Sequence, residues 1–293
     1  MRRYVYINNH KERIWTLSAN TESNNTPIVL IHGFCGAIGL WAHNISELCK
    51  SRPLYAIDVL GFGRSSRPMF SNDPIEAENQ FVESIDSWRK SLGINEMILL
   101  GHSFGGFLSS SYALKYPQHT KALILADSWG FPERTSNVQY PLMIKLAMKM
   151  ARHFSPFSFI RGTGPLGLLL FKKFRPDFRL KYIDLFGNND LIYDYIYHSN
   201  RQMPRYCHFK ILLKMLFFST FICFFSLSGE YGFRAISDRG HAKYPMINRI
   251  SKLTPNISIW FIYGNKSWIT KETGDIVKGM CSGFVSVKVY LRF

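Results

Sequence analysis

Ser103 is the side chain around which chemistry can be organised. It stands in Gly101-His102-Ser103-Phe104-Gly105, after the apolar run Met97 to Leu100 and before a helix-compatible stretch, Gly106 to Tyr116, that stops at Pro117. A G-x-S-x-G turn between a strand and a helix holds its serine out on a sharp bend, because the small residues on either side let the backbone fold back on itself. A second motif, His32-Gly33-Phe34-Cys35-Gly36, follows the run Pro27 to Ile31. The backbone N–H groups of Phe34 and of Phe104, the residue after the nucleophile, can then face a developing oxyanion, a contact worth about 3 kcal/mol in a reaction barrier. A third stretch, Asp58 to Ser65 (DVLGFGRS), closes another strand. Its glycines suit a tight turn beside the site, and Asp58 and Arg64 read as groups that fix that loop.

A serine hydroxyl is a weak nucleophile until a histidine accepts its proton and a carboxylate orients that histidine. His32 and His102 lie near the turn, but His102 adjoins the nucleophile and should point away from it, so both read as structural. Asp127 ends the strand-like run Ala122 to Ala126 and is a candidate acid, as are Glu272 and Asp275 later in the chain. No cofactor-binding motif and no metal-ligand set is found. The five cysteines, Cys35, Cys49, Cys207, Cys223 and Cys281, form no CxxC pair, which argues against a zinc site or a disulfide framework.

These motifs need a scaffold of strands alternating with helices. Pro27 to Ile31, Leu54 to Ile57, Met97 to Leu100 and Ala122 to Ala126 have the length and β-branched character of buried parallel strands, separated by helix-compatible stretches. Ser258 to Tyr263 and Phe284 to Tyr290 extend the same sheet. The expected fold is α/β and mostly parallel, with a core at 1–131, a helical cap inserted at 132–253, and the last two strands at 254–293. One segment stands apart: Ile211 to Leu227 is almost wholly apolar, yet Lys214 breaks it and it is at the short limit for a bilayer span.

Lysine and arginine number 36 against 20 acids, a net charge of +16 that favours polyanions. The basic residues are scattered and carry no nucleic-acid-binding signature, so an anionic lipid surface is the expected partner and nucleic acid is not. The polar N-terminus, MRRYVYINNHKERI, is not a secretory signal, and with unpaired cysteines it points to the cytoplasm.

Together the motifs resemble the α/β-hydrolase fold, and further stretches narrow the resemblance. GLWAHNI after the first loop, ADSWGFPER, FIRGTGPLGLLLFKKFRPDF and YDYIYHSN are similar to α/β-hydrolase-domain-containing proteins four and five, over about Arg3 to Trp268. That subfamily includes a lysophospholipase acting on N-acyl phosphatidylethanolamine. It also includes a lipid-droplet protein that activates a triglyceride lipase and has been linked to lysophosphatidic acid acylation. The resemblance implies a phospholipid or acyl-ester substrate, a triglyceride lipase as a partner, and attachment to a lipid droplet or an intracellular membrane, mitochondria among them. Ser103 matches the enzyme branch, since the coactivator branch carries asparagine there.

Departures from the family pattern limit that inference. The family's acid closes a Y-G-x-x-x-W-I-D loop, and here Tyr263-Gly264-Asn265-Lys266-Ser267-Trp268-Ile269 runs into Thr270. The family's histidine follows the last strand, whereas the last histidine in these 293 residues is His241, before the penultimate strand. The expected C-terminal helix is also missing. Gln202-Met203-Pro204 should join Ser228-Gly229-Glu230 directly, which makes 205–227 an extra, phenylalanine-rich block. Three expectations stay open: a lipid-directed serine hydrolase or acyltransferase with impaired catalysis, a non-catalytic lipid- or lipase-binding member, and a truncated variant that does not fold stably.

Overall fold

The computed structural model describes residues 1–134, 166–174, 190–201, 228–265 and 269–290, with Pro176, Ile183 and Ser267. Its centre is an eight-stranded sheet in the order β1-β2-β4-β3-β5-β6-β9-β10. The strands are β1 (Arg2–Ile7), β2 (Glu12–Ala19), β3 (Ile28–Ile31), β4 (Leu54–Ile57), β5 (Met97–His102), β6 (Thr120–Ala126), β9 (Ser258–Gly264) and β10 (Val285–Tyr290). From β4 to β10 all neighbours are parallel, while β1 and β2 run antiparallel to each other and β2 runs antiparallel to β4.

Six strands fall where the apolar runs place them. The β1–β2 hairpin is a correction, since no strand was expected before Pro27. Its alternation is half hidden: Val5 and Ile7 of β1, and Ile14, Thr16 and Ser18 of β2, face inward, and arginines and tyrosines lie between them. Asn8, Asn9 and His10 turn the chain with φ of 51, 53 and 64°, a conformation that asparagine tolerates better than most residues.

The helices among the described residues are α1 (Ile45–Leu48), α2 (Pro74–Ser91), α3 (Phe104–Lys115), α4 (Leu166–Phe174), α5 (Leu191–Arg201), α6 (Ser228–Ile236) and α7 (Glu272–Met280). α2 starts cleanly because the Asp73 carboxylate accepts the N–H of Ile75 and of Glu76, both at 2.9 Å, and Pro74 needs no donor partner. It buries Phe81, Val82, Ile85 and Trp88, and Trp88 Nε1 donates to Thr16 Oγ1 at 2.9 Å, tying the helix to β2.

Alternation along the central strands feeds two cores. Val29 and Ile31 of β3 join the larger cluster with Phe104, Phe107 and the α2 aromatics. Ile28 and Leu30 face the other way, onto Leu54, Ala56, Leu100 and Trp41. Strands buried on both faces read as continuous apolar runs, which is why they are visible in the sequence. In the expected cap, α4, α5, α6 and a two-stranded hairpin, β7 (Ser237–Asp238) with β8 (His241–Ala242), are described. The apolar block 205–227 lies outside the described residues.

Candidate active site

Ser103 sits between the C-terminal end of β5 and the first turn of α3, with φ 53° and ψ −117°. A non-glycine residue in this region is strained and persists only where its surroundings over-determine it. They do so here. The Ser103 N–H donates to Ala126 O at 2.9 Å, and Ser103 O accepts from Gly106 N at 3.0 Å and from Trp129 N at 3.1 Å. The flanking glycines are needed for close approach. A Cβ on Gly101 would lie 2.4 Å from Gly105 O, and one on Gly105 would lie 2.1 Å from Ile31 O. The same packing brings the loop after β3 against the serine, since a Cβ on Gly33 would stand 3.0 Å from Ser103 Cβ.

Phe104 opens α3, so its N–H has no intrahelical acceptor and belongs to the positive end of the helix dipole. Phe34 follows Gly33 in the facing loop. The two residues named from sequence as oxyanion donors thus belong to segments that pack against each other at Ser103.

Buried polar ties fix this loop. His32 Nδ1 donates to Gly33 O at 2.8 Å, which leaves Nε2 free to accept the Val59 N–H at 2.9 Å. Both nitrogens are used, and burial lowers the imidazole to about 4, so His32 is neutral and structural. Asp58 accepts the Ile38 N–H on one oxygen and the Arg64 N–H on the other, both at 2.8 Å. Burial nevertheless raises its carboxyl to about 6. Arg64 contributes its backbone to this tie and lays its guanidinium over Trp15 at 5.1 Å.

The Asp127 carboxylate accepts the Gly264 N–H at 3.2 Å, bridging the ends of β6 and β9 beside the elbow. His102 lies between it and the loop: its Nδ1 stands 3.0 Å from where a Gly33 Cβ would be. The protein packed around its ring lowers its basicity, an effect that Asp127 opposes and His32 reinforces. Thr270, Glu272 and Asp275 are exposed at the start of α7, where a hydrogen bond with Thr270 holds Glu272 below the usual carboxylate range. Among the described residues no hydrogen bond reaches Ser103 Oγ, and none holds a cluster of three metal-ligating side chains.

Three neighbours of the site were not read from the sequence. Phe233 on α6 stacks on Phe34 at 4.2 Å and meets Phe104 and Trp129 at 4.9 and 4.8 Å. Trp129 in turn donates from Nε1 to Gly240 O at 2.7 Å. Tyr195 on α5 lies against Gly39, where a Cβ would meet its ring at 2.5 Å.

A mostly parallel sheet with a serine elbow after a central strand and a donor loop after the neighbouring one is the arrangement of an α/β hydrolase, and residues 26–161 match the α/β hydrolase fold family. Human 1-acylglycerol-3-phosphate O-acyltransferase ABHD5 is 43% identical over 274 residues, spanning 92% of this chain and 72% of that protein. Human (lyso)-N-acylphosphatidylethanolamine lipase is 42% identical over 282 residues, spanning 94% and 75%. The chain belongs to the α/β-hydrolase family that includes these two proteins. Among solved structures, a bacterial membrane phospholipase A shares the fold with a TM-score of 0.64 and 18% identity, over 99% of this chain and 77% of that one.

The two buried loop groups pull stability in opposite directions with pH. Between pH 4 and 6 folded Asp58 retains a proton that the unfolded chain releases, so its contribution falls as pH rises. Between pH 4 and 6.5 the unfolded chain holds a proton that His32 refuses, so that contribution rises. Thermal melts across this window should show a steeper rise of Tm with pH in Asp58→Asn than in the parent, and a flatter or falling profile in His32→Gln. Three parallel profiles would contradict the assignment.

Proposed function

We propose that the chain works in lipid metabolism on carboxylic esters of phospholipids, with Ser103 as nucleophile. The observation that carries this is the close approach of Gly33 to Ser103, from which we read the Phe34 and Phe104 N–H groups as the donors to the developing oxyanion. In the reaction Ser103 Oγ bonds to the acyl carbonyl carbon and the carbonyl π electrons move to oxygen, where the two N–H groups hold them. Collapse expels the alcohol, which takes the proton that Ser103 Oγ gave up, and leaves an acyl-serine. Water then releases a fatty acid, or the hydroxyl of a lysophosphatidic acid takes the acyl group. The names of the relatives match both outcomes, one being a lipase and the other an O-acyltransferase. Near-equal identity to the two does not choose between them.

The weak step is the proton on Ser103. His32 has both nitrogens engaged, His102 faces Gly33, and Thr270 at the family's acid position cannot carry a charge. Asp127 is the best-placed carboxylate in the described residues, as a substitute acid. We therefore read catalysis by these 293 residues as impaired. Thr270 and the unbonded Ser103 Oγ favour a second reading, a non-catalytic protein that binds lipid, or a triglyceride lipase, through the same surface.

No helix among the described residues is long and apolar enough to cross a membrane. We read the chain as a peripheral protein of a lipid droplet or an intracellular membrane, drawn to anionic lipid by its net charge of +16.

Labelling by a fluorophosphonate probe, followed at Ser103 by mass spectrometry, should be about 10²–10⁴-fold slower than for a serine hydrolase with its base in place, the range that general-base catalysis contributes. Rapid labelling lost in Ser103→Ala would show that a base is present and that catalysis is intact. In flotation assays, binding to vesicles containing phosphatidic acid should exceed binding to neutral vesicles and fall as salt rises. Equal binding to both, with no salt dependence, would remove the lipid head group and favour the protein-partner reading.

A further inference from the structure

The aromatic cluster at the site has a floor and a surface. Phe62 and Phe104 are each 1% exposed and form the floor. Phe34 and Phe233 are half-buried, stacked on each other, and carry the outer faces of the cluster. Phe233 touches the side chains of Phe34, Phe104 and Trp129, residues that follow Gly33, follow Ser103, and donate a backbone N–H to Ser103 O at 3.1 Å, respectively. These rings offer an apolar surface beside the residues read as oxyanion donors.

The helix that carries Phe233 is held in place. Gly229 N donates to Gly61 O at 3.2 Å, and Ser228 Oγ donates to Pro68 O. A Cβ on Gly229 would stand 2.5 Å from the Phe62 ring, and one on Gly232 would stand 2.7 Å from Phe70 and Phe81. α6 is thus packed against the core by two glycines, which fixes where Phe233 stands.

We infer that Phe233 is the specificity-determining residue of the site, its ring standing in the path of a long acyl chain and limiting how much of it the protein buries. The inference rests on Ser103 being the acyl site. The ligand class is a long-chain fatty acyl group, free or esterified, and removal of the ring lengthens the apolar path next to Trp129.

Trp129 provides the readout, since a brominated chain quenches indole emission on contact. Binding of 9,10-dibromostearate and of 8-bromooctanoate to the 293-residue chain is titrated by tryptophan quenching in the parent, Phe233→Ala and Phe233→Leu. Trp129→Phe identifies the part of the signal that arises at the site, and thermal melts confirm that each variant is folded. Phe233→Ala should lower the Kd for the 18-carbon acid about tenfold, the effect of burying roughly two more methylenes, and shift the 8-carbon acid less than twofold, with Phe233→Leu between. If the alanine variant is unfolded, the leucine variant decides. An unchanged ratio of the two affinities, or 18-carbon quenching that survives in Trp129→Phe, overturns the inference. A shifted ratio in a protein whose Ser103 never labels would keep Phe233 as the limit of a binding pocket and remove the esterase reading alone.

Discussion

The site depends on one close contact between backbones, that of α3 with the end of β3. Gly105 lies so near the carbonyls of Ile31 and His32 that any Cβ there would stand 2.1 and 2.7 Å from them, well inside van der Waals contact. This approach turns the chain sharply at Ser103, brings the first N–H groups of α3 toward the loop after β3, and sets Gly33 against the serine. Without it the loop after β3 and the first turn of α3 would not meet at Ser103. Strain at Ser103 follows from the same constraint, and the bonds from Ala126, Gly106 and Trp129 to its backbone show what offsets it.

The facing loop is held by polar groups that are costly to bury. His32 serves as a neutral bridge between two backbones, and Asp58 as a double acceptor that staples the Ile38 turn to the Arg64 turn. Burial lowers the His32 imidazole and raises the Asp58 carboxyl, and the backbone hydrogen bonds that Gly33, Ile38 and Arg64 share with them oppose both shifts. Residues that look catalytic by type are thereby committed to holding the loop. Helices α5 and α6 lay aromatic side chains on this loop, Tyr195 on Gly39 and Phe233 on Phe34.

Much of this was legible in the amino-acid sequence because the sheet is parallel. Strands buried on both faces, such as Ile28–Ile31, are unbroken apolar runs, and the elbow glycines are demanded by backbone geometry that depends on local spacing. The β1–β2 hairpin was missed because its inward residues, Val5, Ile7, Ile14 and Thr16, alternate with a mixture of polar and apolar side chains, Tyr6, Arg13, Trp15 and Leu17, and its turn has no glycine. Phe233 was missed for a different reason. Nothing within SGEYGFRAI marks one aromatic residue for a site that lies about 130 residues earlier in the chain, and only the packing of Gly229 and Gly232 onto the core aims it there. Asp58 and Arg64 were read as loop-fixing groups, and Arg64 acts both through its backbone N–H on Asp58 and through a guanidinium charge that favours the Asp58 carboxylate.

Urea denaturation of Gly105→Ala, beside Gly279→Ala as a control, tests the backbone contact most directly. Gly279 lies near the end of α7 with open space where a Cβ would go, so alanine there should leave stability unchanged or raise it by up to about 1 kcal/mol. Gly105→Ala should lose more than about 3 kcal/mol, or show no cooperative transition, because its Cβ would collide with backbone that has no side chain to move aside. A Gly105→Ala protein within about 0.5 kcal/mol of the parent would contradict the claim that this contact builds the site.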